Sequence, residues 1–174
     1  MSKMIKTFLV SAALLGSLTA AFAATPAAAT KPRVAPAAYG TPLTSAELVR
    51  LYEGRTWLWS AGAGYFSPKK RAFTAWSAEN GKLSYGEGIW FASDNGKLCF
   101  RAKWTGKSGS APATTCFSHR TKGGAVYQKR EPSGDWYLFK HARTRSSDEY
   151  AKFRSGDLVA GRLAKVKTRL GAKS

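Results

Sequence analysis

Glu87, His119, Gln128 and His141 are the polar residues that fall in phase with the aromatic side chains of a long series of strands. Converging on an apolar interior, a carboxylate, two imidazoles and an amide could orient a small ligand through a few hydrogen bonds. A Glu–His pair could also move a proton. No Ser-His-Asp order, paired-carboxylate motif or metal-ligand spacing accompanies them, so the sequence predicts no enzyme. Polar groups wetted at a barrel rim, or a buried Glu–His pair held for structural reasons, give the same pattern. With two histidines and two cysteines, Cys99 and Cys116, no metal cluster is expected, and no cofactor.

The opposite phase carries Trp90, Arg101, Lys103, Arg120, Tyr127, Lys129, Trp136 and Lys140. Basic groups interleaved with rings suit an anionic polymer or glycolipid, the charges following its backbone while the rings stack. The plainer reading is that lysine and arginine stems cover surface rings. Arg130, opposite Asp135, reads as a cross-strand ion pair.

Tight turns set these faces. Asn80-Gly81 and Asn95-Gly96 lie between alternating apolar runs, the strongest short hairpin signal. A two-residue turn fixes register. Phe91 is then expected opposite Phe100, Ile89 opposite Ala102 and Trp76 opposite Tyr85. Trp76, Leu83, Tyr85, Ile89, Phe91, Leu98, Phe100, Ala102 and Trp104 would share the interior. A turn at Lys107-Ser108 puts Cys99 opposite Cys116, and these two predict a cross-strand disulfide. Carried further, the register adds His119, Val126, Gln128, Tyr137, Phe139 and His141 to the interior.

About eight short strands between Arg55 and Ala142 predict a mainly β fold, an antiparallel up-and-down meander. A closed or nearly closed, lipocalin-like barrel removes its edges, and a bent open sheet is the alternative. Thr44-Ser45-Ala46-Glu47 before Leu48, Val49, Leu51 and Tyr52 predicts a short helix, ended by Gly54, that packs on the barrel or plugs one end. From Leu158 onward, Val159, Leu163, Val166 and Leu170 recur at helical spacing among basic residues. Such a basic helix or tail could touch an anionic membrane surface through residues 158–173, or lay its stripe on the domain.

Residues 1–23 read as a signal peptide: Lys3 and Lys6, an apolar stretch from Phe8 to Phe22, and Ala21-Phe22-Ala23 before cleavage at Ala24. Residues 24–42 read as a flexible Ala/Pro-rich linker, 43–160 as one β-barrel-like domain and 161–174 as a basic tail. The formal charge is +18; the leader's two lysines removed, 26 basic and 10 acidic residues leave +16 on 151 residues. Such a charge concerns partners, not fold. It points to an anionic envelope polymer or glycolipid, in a periplasmic or secreted protein, with no specific nucleic acid expected. Arg101, Lys103, Lys129 and Lys140 on the outer face argue against an outer-membrane barrel.

The run Leu43 to Leu48, with Gly54 to Trp57, Gly64 to Phe66 and Phe73 to Trp76, resembles an uncharacterised family of small exported proteins from Gram-negative bacteria. So do Gly88 to Trp90, Leu98 to Phe100, Thr115 to Phe117, Tyr127, Asp135 to Tyr137 and Gly156-Asp157. The resemblance covers about residues 43–160 and implies export of a single domain of unknown function. It transfers no active site.

Three functions fit. The leading one is a non-enzymatic binding protein of the cell envelope that uses its basic-aromatic outer face. The second is a lipocalin-like carrier with a ligand inside. The third is an inhibitor or accessory factor of a cell-wall or polysaccharide enzyme, by analogy with small disulfide-bonded barrels that inhibit lysozymes; lysozymes are usually strongly basic, and like charges repel.

Overall fold

From Arg55 onward, short alternating apolar runs separated by glycine-rich turns can bury one side only by pairing with their neighbours, and each does so. The computed structural model describes residues 36–171; the leader, the linker as far as residue 35 and residues 172–174 lie outside the described residues. In chain order the elements are β1 (Thr41–Pro42), α1 (Ser45–Tyr52), β2 (Arg55–Trp59), β3 (Gly62–Phe66), β4 (Ala72–Ser77), β5 (Ser84–Ser93) and β6 (Lys97–Gly106). Then come β7 (Gly109–Lys122), β8 (Ala125–Arg130), β9 (Tyr137–Lys140), β10 (Phe153–Ser155) and α2 (Ala160–Arg169).

Strands β2 to β9 pair in sequence order, the expected antiparallel meander, and β10 returns beside β2. β9 and β10 are the two ends of the sheet, which is a curled half-barrel rather than a barrel closed by hydrogen bonds. The chain after β9 crosses between these ends, where Tyr150 stacks on Phe153 and meets Phe139 edge-on. β1 adds to β7. The last seven residues of the expected linker are therefore placed: a 3-10 turn, Pro36–Tyr39, and β1 lie against β7, and the Arg120 guanidinium donates to the Gly40 carbonyl at 2.8 Å.

Helix α1 begins with the capping box foreseen at Thr44 and Glu47: the Glu47 N–H donates to the Thr44 hydroxyl at 3.3 Å, and the Thr44 N–H to Glu47 at 2.7 Å. Leu48 and Tyr52, one turn apart, are fully buried and plug one end of the half-barrel. Phe66, Phe73, Trp90, Leu98, Phe139 and Phe153 build the core around them. Its rings are mutually ordered; Phe73 stacks on Phe100 with centroids 4.3 Å apart.

Two of the three expected registers form. Cys99 faces Cys116 and the two are disulfide-bonded. Trp76 faces Tyr85. The hairpin between β5 and β6 is different: its ladder closes at Ser93 and Lys97, leaving a three-residue loop, Asp94–Gly96. Gly96 has φ +78°, whereas Asn95 is not left-handed. Every β5 residue is displaced by one against β6, so Trp90 faces Phe100 and Phe91 faces Cys99. Trp90 is 1% exposed and Phe91 45%. Because β4 is tied to β5, Trp76, Tyr85, Glu87 and Ile89 move to the outer side with Phe91.

Tertiary contacts explain the longer loop. Asp94 Oδ1 accepts from the N–H and hydroxyl of Ser45 at 2.8 and 2.7 Å, which lowers its carboxyl from the ordinary value. The Gly96 carbonyl accepts from the His119 N–H at 2.7 Å. A Cβ on residue 96 would lie 2.3 Å from the His119 carbonyl oxygen, so only glycine fits. The turn is held between α1 and β7, and those contacts override the two-residue preference.

The basic C-terminal segment is an ordered helix on the sheet. Val159, Leu163 and Val166 are buried, and the first two pack with Ala63 beside Leu58, Tyr65, Trp76 and Tyr85. Lys167 Nζ lies 2.7 Å from Glu87, and the Arg162 guanidinium 5.0 Å from the Trp76 ring. Three members of the expected apolar stripe, Val159, Leu163 and Val166, thus face the protein itself, while Leu170 is half-buried and Leu158 exposed.

Candidate functional site

Of the four residues expected to converge inside, two do. His119 and Gln128 face one another across β7 and β8 and are fully buried. Tyr52 reaches them from α1. Its oxygen lies 2.8 Å from His119 Nε2 and accepts from Gln128 Nε2 at 2.6 Å, while that amide stands 2.7 Å from His119 Nε2. Tyr137 on β9 donates to Gln128 Oε1. Burial holds the His119 pKa down at about 4, so the ring is neutral at pH 7. His119 Nδ1 stands 3.2 Å from the Gly96 carbonyl, which has no proton to give, so Nδ1 carries the hydrogen and Nε2 is the acceptor. Burial likewise raises the Tyr52 phenol well above its ordinary range.

Among the described residues, no buried side-chain N or O atom lacks a partner. This chain of bonds is therefore an internal tie between α1 and three strands. The other two candidates lie elsewhere. Glu87 is on the outer face with Lys167, because of the displaced β5 register. His141 follows β9 and bonds Asp148, whose carboxylate also accepts from the N–H groups of His141 and Arg145 at 3.1 and 2.9 Å. Burial pushes the Asp148 carboxyl up, but the Arg145 and His141 bonds outweigh it and hold it at about 2.

The opposite end of the interior is open. A cleft of about 240 Å³ is walled by Trp57, Trp59, Phe66, Phe73, Phe100, Trp104 and Phe117, with Thr115, Glu79 and Arg130 as its polar groups. Glycines make room for the rings: Trp57 faces Gly64, Trp59 faces Gly62, and a Cβ on Gly86 would come within 2.9 Å of Trp104. Arg130 is not paired with Asp135, as its sequence position suggested. It faces Phe117, two residues along β8 from Gln128, and its side chain lines the cleft. A concave apolar wall with few polar groups is the ordinary form of a small-molecule site. The sequence signal for it is the pairing of Trp57 and Trp59, two apart, with Gly62 and Gly64, two apart.

A family model described as "Protein of unknown function (DUF995)" matches residues 16–159. The chain belongs to the DUF995 family. No curated protein and no solved structure matches it. Every residue lining the cleft falls within the DUF995 match, whereas α2 begins one residue after it.

The outer face of this DUF995 chain is not the continuous basic-aromatic surface that alternation implied. Trp90 is in the core, its indole N–H donating to the Ser67 carbonyl at 2.9 Å. Lys140 turns to the crossing segment, donating to the His141 carbonyl at 3.3 Å near the Tyr150 ring. Arg120, Tyr127, Lys129 and Trp136 form a second group under the N-terminal 3-10 turn: Tyr39 lies 5.2 Å from both the Tyr127 and Trp136 rings, and Lys129 Nζ 3.2 Å from Glu131. Arg101 and Lys103 remain exposed on β6.

Proposed function

We propose that this DUF995 protein is an exported, non-enzymatic binding protein for a small amphiphile, held in the cleft at the open end of the half-barrel. The observation that carries this reading is the lining: seven aromatic side chains face one concavity in which Arg130 is the cation. Rings of this kind gain free energy by covering an acyl segment or a flat ring, and a guanidinium fixes an anionic end by paired hydrogen bonds. The closed end, with its internally bonded Tyr52, His119 and Gln128, gives a rigid floor, and among the described residues lining the cleft Glu79 is the one carboxylate. A leader-like N-terminus and a disulfide support export.

The test is a titration of the full chain with decanoate and with decanol, read by tryptophan fluorescence, since Trp57, Trp59 and Trp104 all line the cleft. Decanoate should bind more tightly than decanol, Trp104→Ala should weaken both, and Arg130→Gln should remove only the preference for the acid. Equal titration curves for wild type and Trp104→Ala would put the ligand somewhere else.

A further inference from the structure

The displaced register of β5 leaves two large apolar side chains in water, Ile89 at 42% exposure and Phe91 at 45%. They are two residues apart on one strand and so point the same way. The β4 ladder ends at Ala72, opposite Ile89, so nothing on that strand flanks Phe91. Across β6, Arg101 stands directly opposite Ile89, and Lys97 and Lys103 lie two positions to either side of the Cys99–Arg101 pair's span; all three cations are exposed. On the other flank, the basic turn Lys69–Arg71 packs on β5 with exposed Lys69 and Lys70, while the Arg71 guanidinium is taken up 4.4 Å over the ring of inward-facing Trp90. The acids near these cations are already engaged, Glu87 with Lys167, Asp94 with Ser45, and Glu131, which lies in the field of Lys97, with Lys129.

We propose that this β5–β6 face docks on the surface of an anionic bilayer. Phe91 and Ile89 enter the boundary between headgroups and acyl chains, and the flanking cations meet lipid phosphates. The pairing of apolar and cationic groups selects this partner. A soluble polyanion would use the cations but gain nothing from an outward isoleucine, which cannot stack. A second copy of a chain carrying +18 would bring like-charged rims together. Helix α2 is not the docking element, because Val159, Leu163 and Val166 of its apolar stripe are buried.

The experiment is co-sedimentation of the full chain with vesicles of phosphatidylcholine alone and of phosphatidylcholine mixed with phosphatidylglycerol, at low and high salt. Binding is expected to the anionic vesicles and to weaken as salt rises. Removing both cations in Arg101→Gln/Lys103→Gln should cost about fivefold each and flatten the salt dependence. Ile89→Ser/Phe91→Ser should weaken binding about tenfold or more at unchanged salt slope, while Phe91→Leu retains it. These side chains lie on the surface, and an unchanged near-UV circular dichroism spectrum confirms that each variant is folded. The proposal is overturned if the wild type does not sediment with anionic vesicles, or if Ile89→Ser/Phe91→Ser binds as the wild type does. It is equally overturned if soluble polygalacturonate binds as tightly as the anionic vesicles do, or if loss of binding follows only from Lys165→Gln/Arg169→Gln on α2. A dimer abolished by Phe91→Ser would assign the face to self-association instead.

Discussion

The Tyr52 hydroxyl lies 2.8 Å from His119 Nε2, joining the plugging helix to the middle of β7. The bond is the centre of a chain running from Tyr137 through Gln128, Tyr52 and His119 to the Gly96 carbonyl. Its members differ in what their removal strands. In Tyr52→Phe, Gln128 Nε2 is already 2.7 Å from His119 Nε2 and can donate to it directly. The expected loss is about 1 kcal/mol. Gln128→Leu leaves both hydroxyls without their amide partner and should cost about 3 kcal/mol. Urea unfolding of the two variants checks the order, and a larger loss for Tyr52→Phe would contradict this arrangement of bonds.

Burial of a neutral imidazole makes stability depend on pH. The folded state holds His119 at about 4, while the unfolded chain protonates it near the ordinary 6.5. Between those values the unfolded state binds the extra proton, so stability is full above pH 6.5 and declines as pH falls toward 4. The loss should reach about 3 kcal/mol. His119→Gln should flatten the curve in this window. Asp148, held at about 2, adds a separate decline only below its ordinary 3.8. A urea midpoint series from pH 7.5 to about 5.5 reads the His119 effect before Glu47 and Glu131, whose carboxyls are also lowered from 4.5, begin to contribute. A wild-type midpoint that stayed constant there while His119→Gln matched it would rule out a buried neutral His119.

The displaced register gives a sharp contrast between neighbours. Trp90→Ala empties a fully enclosed site and should cost about 4 kcal/mol. Phe91→Ser alters a side chain in water and should cost about 1 kcal/mol or less. Thermal unfolding by circular dichroism distinguishes the two, and the reverse ranking would restore the two-residue turn.

The fold was legible where pairing depended on local chemistry and illegible where a distant contact intervened. Thr44 and Glu47 announce their helix because both halves of the capping box lie within four residues. Cys99 and Cys116 locate the β6–β7 register because a disulfide requires their opposition. The Asn95-Gly96 dipeptide misleads because its loop is set by Ser45, 49 residues upstream of Asp94, and by His119. A two-residue turn there implies a register that puts Tyr85, Ile89 and Phe91 inside in place of Gly86, Gly88 and Trp90. The glycines were the better guide, since the wide rings of β6 need small residues opposite them, as Trp104 needs Gly86. The tryptophans of the cleft are matched with glycines in the same way, Trp57 with Gly64 and Trp59 with Gly62.

Cross-linking β6 to β7 should contribute measurably. Cys99 and Cys116 are 17 residues apart, a span for which chain-entropy estimates are about 3 kcal/mol. Cys99→Ala/Cys116→Ala should remain folded, since the disulfide lies outside the central ring cluster, and should lose about that amount. Unfolding with and without reductant checks it: wild type should shift on reduction and the variant should not.

Helix α2 begins where the family match stops, yet it shelters part of the sheet's convex side. Tyr65, Trp76 and Tyr85 form a band of rings there with Ala63 at its centre. A chain cut after residue 159 would expose that band on a sheet whose two rims are also unpaired. Flat greasy surface beside open backbone is the combination from which strands stack between molecules. The ten residues of α2 would then be what keeps that band from meeting its like on another copy, and their lysines and arginines would add repulsion between any two copies.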